Sequence, residues 1–148
     1  MPVWESPNGG TRSTAIRLAN RLTEASRLHQ AFAEFVADLP MHAKARLAFD
    51  LTLEELFANW VHHAHLDPAD HVIEMRFTVL GDEIRIEVID DGEPFDPTQH
   101  PAPDFSLPLE HRPIGGLGVH MVRQSMDRIE YQRKEGWNHL TLWRRWRT

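Results

Sequence analysis

Cysteine is absent from the 148-residue chain, which excludes a disulfide framework, thiolate catalysis and a Cys-type zinc site. No apolar run approaches the roughly 20 residues of a membrane span. Met1–Gly10 also lacks the basic-then-apolar pattern of a secretory signal. The sequence therefore predicts a soluble, cytoplasmic protein with no membrane partner. Basic side chains are scarce between residues 50 and 110, where only Arg76 and Arg85 stand against 15 acids. That scarcity argues against direct nucleic-acid binding there, because phosphate grooves are lined by Lys and Arg. The flanks lean the other way, +2 over residues 1–49 and +5 over 111–148, and the whole chain carries −6. The basic end, with Arg144, Arg145 and Arg147, reads as a solvated terminal strand. An acidic middle also suits a divalent cation bound with a nucleotide, and composition does not decide between these readings.

What is present points to one domain, since a chain of this length buries about 70% of its unfolded surface and needs no staple. Met1–Arg12, with two Pro and two Gly and no periodicity, reads as a loosely attached lead-in, leaving residues 13–148 as the domain. Ser13–Asn20 alternates imperfectly, as an edge strand does. Leu22, Ala25, Leu28, Phe32, Phe35, Val36 and Leu39 recur at helical steps, predicting a helix from Arg21 that stops before Pro40. A second helix spans Ala43–His65, with Leu53, Leu56, Phe57, Trp60 and Ala64 as its apolar stripe, closed by Asp67-Pro68.

Two strands, His71–Leu80 and Glu83–Asp90, flank the turn pair Gly81-Asp82 and read as a hairpin with one buried face. Gly92–Ile114 holds six of the ten prolines and no period, longer than an ordinary loop, and so has the look of a lid. A helix then opens at Gly115-Gly116-Leu117-Gly118, and a last hairpin joins Arg128–Lys134 to Asn138–Trp146. The order β-α-α-β-β-lid-α-β-β predicts an α+β two-layer sandwich. Three helices should lie on one face of a mixed, mostly antiparallel sheet, with the other face toward solvent or a partner.

Three short segments carry candidate chemistry. On the second helix Glu55, Asn59, His62 and His63 share a face at 100° per residue. A carboxylate and a carboxamide one turn apart suit a hard cation and a proton acceptor: Asn59 as a Mg²⁺ ligand, Glu55 as a general base. A plain polar helix face has the same pattern. His62, His63, His65 and His71 have no zinc-protease spacing and read as surface or supporting histidines. Asp90-Asp91-Gly92 ends a buried strand, where a carboxylate can accept from an adenine amino group or simply end the strand in a turn. Gly115–Gly118 at a helix start offers bare backbone N–H groups to phosphate, without the Lys-Ser/Thr of a Walker loop.

Taken in order, the three resemble the Bergerat-type ATPases, the superfamily of gyrase, Hsp90, histidine-kinase catalytic domains and MutL. Glu55 through His63 resembles the N box, Asp90-Asp91-Gly92 the first glycine box, and Gly116-Leu117-Gly118 the second. The likeness spans about residues 13–147. It narrows to the anti-sigma-factor serine/threonine kinases of bacterial partner-switching systems, through E-x-x-x-N-x-x-x-H-A (Glu55, Asn59, His63, Ala64), D-x-G-x-x-F-D-P (Asp90, Gly92, Phe95, Asp96, Pro97) and Met126-Asp127. These N-box details fit that branch better than a histidine-kinase catalytic fragment.

The resemblance implies an ATP- and Mg²⁺-dependent kinase, in which Asp90 takes the adenine amino group and Asn59 holds Mg²⁺ against the triphosphate. Glu55 would activate a protein Ser or Thr hydroxyl. Residues Gly115, Gly116, Leu117 and Gly118 would cradle phosphate, with His63 and Gly92 in the same site and Gly92–Ile114 as the ATP lid. It implies an anti-sigma-factor antagonist as substrate, a sigma factor as competing partner, and a homodimer. The alternative is a nucleotide-sensing, partner-binding module with little or no turnover. Three positions depart from the family pattern: Pro94 replaces a glycine of the first box and removes an N–H. Arg112, the nearest lid cation for the γ-phosphate, lies further from Gly116 than in better-known members. Asn138 stands where a Gly-Thr pair is frequent near adenine.

Overall fold

The computed structural model describes residues 11–64, 70–99, 106–108 and 116–148, with backbone alone at 63, 64, 116 and 117. Among these, five strands are present: β1 (Arg12–Ala19), β2 (Val72–Leu80), β3 (Glu83–Asp90), β4 (Arg128–Lys134) and β5 (Trp137–Arg145). Three α-helices accompany them: α1 (Ala25–Phe35), α2 (Ala43–Ala64) and α3 (Gly116–Ser125). The strands form one antiparallel sheet in the order β1-β2-β3-β5-β4, so the expected edge strand is an edge and β3 is central. Every neighbouring pair is antiparallel, so the sheet is not mixed.

Alternation sorts the two faces. Ile84, Ile86 and Val88 of β3 are buried with Ile73, Met75 and Phe77 of β2 beneath the helices. The opposite face is charged and internally paired: Glu74 meets Arg17 at 3.3 Å and Arg76 at 2.6 Å, and Glu87 lies 3.0 Å from His139. Such exposed pairs contribute at most about 1 kcal/mol each. The stabilising mass is aromatic, with Phe77 edge-on to Phe32 at 5.2 Å and 5.9 Å from Phe35.

Two boundaries differ from those the sequence predicts. Arg12 belongs to β1, not to the lead-in, because its guanidinium grips Asp38 at 2.5 and 2.6 Å and bonds the Phe35 carbonyl. That guanidinium also holds the Asp38 carboxyl below its usual value. The first helix is shorter than Arg21–Leu39: a 3-10 turn at Leu22–Glu24 precedes α1, which ends at Val36 with φ −102° and ψ 6°. The chain then closes through the Leu39 N–H to Val36 carbonyl bond before Pro40, which forbids further α geometry. Helix α2 is almost as expected, and its buried side extends earlier, through Ala45 and Phe49. His42 Nδ1 accepts the Lys44 N–H at its start, meeting one orphan donor. Among the described residues no helix is long and apolar enough to cross a membrane.

Replacing Phe77 by Ala is expected to cost about 3–5 kcal/mol, read from the urea midpoint, because the ring is wholly enclosed by two other aromatics. A loss below about 1 kcal/mol would show that this cluster collapses around the vacancy.

Candidate functional site

Helix α2 carries Leu53, Leu56, Phe57 and Trp60 into the core, and this fixes its rotation. With that stripe inward, Glu55 is half-buried and Asn59 is 8% exposed, both on the side where α3 packs. Among the described residues the buried Asn59 Nδ2 has no hydrogen-bond partner, an orphaned polar group that native interiors rarely leave. Gly118 of α3 lies directly against this pair. A Cβ there would overlap Glu55 Oε2, stand 3.1 Å from its Cδ and lie 3.5 Å from Asn59 Nδ2. A side chain at position 118 would therefore require the end of the Glu55 carboxylate to move aside, so Gly118 passes closely over the Glu55 carboxylate and the Asn59 carboxamide. Asn59 also lines an apolar cavity of about 10 Å³, with Phe95 and Val119 among its walls.

Asp90 occupies the inward phase of β3, two residues beyond Val88 in the alternation of Ile84, Ile86 and Val88, and is 0% exposed. Its Oδ1 accepts the Trp60 indole N–H at 2.5 Å and the Asn138 amide at 3.1 Å, and Oδ2 accepts the Gly92 N–H at 2.9 Å. Asn138 sits opposite Asp90 in the β3–β5 register, which explains the meeting. The same amide donates to the Gly92 and Glu93 carbonyls at 3.4 and 2.9 Å, while its oxygen accepts the Phe95 N–H at 3.4 Å and the Tyr131 hydroxyl at 2.5 Å. Arg133 Nη1 adds a 2.6 Å bond to the Gly92 carbonyl. The segment around Pro94 is therefore held by the side chains of Asn138 and Arg133 from β5 and β4, together with its own Gly92 and Phe95 N–H groups.

The structure brings together Glu55, Asn59 and Gly118, and separately Asp90 and Gly92 with Trp60 and Asn138. Gly116 and Leu117 form the first turn of α3, as expected, and His63 lies on α2 with its side chain outside the described residues. Gly115 and Arg112 fall outside the described residues, as do 100–105 and 109–114 of the expected lid. The described beginning of that segment contains a 3-10 turn, Pro97–Gln99, within a stretch expected to lack regular structure. His62 is exposed, and among the described residues no three His, Asp or Glu side chains gather as a metal cage. The helical period places Trp60 in the core stripe, which its ring occupies, and gives no sign of the bond its N–H makes. Asn138 departs from the family pattern in the sequence, whereas cross-strand register makes it a partner of Asp90. Tyr131 and Arg133 carried no signal, being two residues of an alternating strand.

Tyr131 is the only tyrosine in the chain. Burial pushes its phenol above the ordinary value of 10.0. The sign follows: its contribution to stability is complete below pH 10 and is lost as pH rises through the higher folded value. Ultraviolet difference absorbance should show ionisation above pH 10 in the folded protein and a return to about 10 in urea. Coincident curves would mean the hydroxyl is solvated.

A family model described as "Histidine kinase-like ATPase domain" matches residues 18–144. Among curated proteins, the chain is 37% identical over 100 residues to the serine/threonine-protein kinase BtrW of Bordetella bronchiseptica, covering 66% of this chain and 70% of that one. It is 31% identical over 90 residues to the serine-protein kinase RsbW of Bacillus cereus, spanning 58% of this chain and a little over half, 56%, of that relative's length. Among solved structures, that of the RsbU and RsbW domains of Rv1364c from Mycobacterium tuberculosis superposes with a TM-score of 0.64. At 17% identity over 90% of this chain and 32% of the other, that likeness speaks for the fold. With the N-box pair, the buried strand-end aspartate and the glycine passage all in one sandwich, the chain belongs to the histidine kinase-like ATPase domain family.

Proposed function

We propose that this chain is an ATP-dependent serine/threonine protein kinase and anti-sigma factor of a bacterial partner-switching pathway. In that reading it phosphorylates an anti-sigma-factor antagonist, competes for a sigma factor and acts as a homodimer in the cytoplasm. The observation that carries the reading is the passage of Gly118 over Glu55 and Asn59, which puts a helix N-terminus beside a proton acceptor and an amide. The names of two relatives, both serine kinases, point the same way.

The residues present fit Mg²⁺ bound together with a triphosphate. Asn59 carries an amide oxygen, the type of ligand Mg²⁺ takes, on a side chain packed beside Glu55 and Gly118. With no carboxylate cage among the described residues, such an ion would lean on phosphate oxygens and water. When bound, it would neutralise phosphate charge. The chain's own groups do the rest. Asp90 accepts the adenine amino group, and the first N–H groups of α3 face the phosphates. Glu55 takes the proton from the attacking Ser or Thr hydroxyl as its oxygen bonds the γ-phosphorus. The bond from that phosphorus to the bridging oxygen breaks, and ADP leaves with the electron pair. Positioning and charge supply most of such a rate.

Glu55→Gln should bind Mg-ATP nearly as wild type in calorimetry while labelled-phosphate transfer to the antagonist falls on the order of a hundredfold or more. Transfer at the wild-type rate would remove Glu55 as the base. Gly118→Ala separates activity from stability. Alanine favours a helix over glycine by about 1 kcal/mol, so the melting temperature should hold or rise. Displacement of the Glu55 carboxylate should nonetheless slow transfer roughly a hundredfold. Equal activity would show that Glu55 swings aside at no cost.

A further inference from the structure

We infer that Trp60 and Asn138 are positioning residues that set the base selectivity of the nucleotide site, by holding Asp90 in one orientation from opposite layers of the fold. This rests on the reading of Asp90 as the adenine contact. The indole N–H is a donor and has no acceptor character, so at 2.5 Å from Asp90 Oδ1 it requires an accepting carboxylate oxygen there. The orientation of the Asn138 amide follows from its own neighbours. Its Oδ1 receives the Phe95 N–H and the Tyr131 hydroxyl, and its nitrogen faces the Gly92 and Glu93 carbonyls. A flipped amide would set oxygen against two carbonyl oxygens, so the group turned to Asp90 is a donor as well. Two side-chain donors on Oδ1 and one backbone donor on Oδ2 thus fix both the rotamer and the tilt of the carboxylate plane.

The mounting matters as much as the bonds. Trp60 follows Asn59 on α2, so one helical turn carries the amide assigned to the phosphate end and the indole that holds the base-reading carboxylate. The Trp60 ring meets the Phe95 ring edge-on at 5.4 Å, and the Phe95 N–H returns to Asn138. The circuit closes through Asp90. A carboxylate held as an acceptor favours a purine with an amino group at position 6 and repels a carbonyl there, because a buried acceptor pair leaves both oxygens unsatisfied. Without the two side-chain donors the carboxylate would turn, and that discrimination would narrow.

The test is calorimetric titration of Mg-ATP and Mg-GTP into the full chain as wild type, Asp90→Asn, Trp60→Phe, Asn138→Thr and Asn138→Leu, with melting temperatures alongside. Trp60→Phe keeps a ring against Phe95 and removes only the donor. It should lose about tenfold in ATP affinity with little change for GTP. Asn138→Thr keeps a hydroxyl donor and should retain more of the ATP preference than Asn138→Leu, a rescue that simple loss of packing would not produce. An unchanged ATP-to-GTP ratio in Trp60→Phe and both Asn138 variants, with the ratio reduced in Asp90→Asn, overturns the positioning role and leaves the base contact standing. An unchanged ratio in Asp90→Asn as well overturns the base contact and this inference with it. If Trp60→Phe does not fold, the Thr-against-Leu comparison at Asn138 decides alone.

Discussion

A carboxylate with no solvent exposure sits at the inner end of the central strand, and the rest of the architecture answers to it. Burying such a group without donors would cost several kcal/mol, a large share of the stability of a domain this size. The donors come from three places that sequence separates widely: Trp60 on α2, Asn138 on β5 and Gly92 just past β3. Helix layer, sheet and the start of the loop after β3 are thereby tied to one point. A shift of α2 along the sheet would remove the Trp60 donor, and a slip of β5 by one residue the Asn138 donor. Hydrophobic packing tolerates such slips better than a directional network does.

A steric constraint works alongside this polar one. Helix α3 approaches α2 where Gly118 has no side chain, and the gap is filled by the end of Glu55 and the Asn59 amide. The chemistry assigned to this site needs a proton acceptor and an amide oxygen within reach of a helix N-terminus. An ordinary helix–helix contact would separate them by two layers of side chains. Close approach also goes with the burial of Asn59, whose Nδ2 has no hydrogen-bond partner among the described residues.

Asn138 shows how a departure from a family pattern is absorbed. Pro94 deprives the loop after β3 of one N–H, and position 138 in β5 carries the long polar side chain of Asn. The longer carboxamide reaches three backbone groups of that loop as well as Asp90, and Arg133 braces the Gly92 carbonyl from β4. One side chain takes over tasks that backbone groups would otherwise share. On the outer face of the sheet charges pair both across strands, Arg17 with Glu74 and His139 with Glu87, and along β2, Arg76 with Glu74.

The hydrophobic periods alone determined the element order, the two-layer class and the inward phase of Asp90. A residue two steps beyond Ile84, Ile86 and Val88 must share their face. Helical spacing likewise placed Glu55 and Asn59 together one turn apart. Those relations are local, and a strand or helix imposes them whatever surrounds it. The early end of α1 at Val36 was not legible, since Leu39 keeps the helical period and only the backbone turn breaks it. Nor were the roles of Trp60, Asn138, Tyr131 and Arg133. They depend on β3 pairing with β5 in a register that sets Asp90 opposite Asn138, and on how α2 lies across that sheet. Pairing over 48 residues of chain is decided by the packing of the whole core. A polar atom on an apolar ring has no period to announce it, so its partner is visible only in three dimensions.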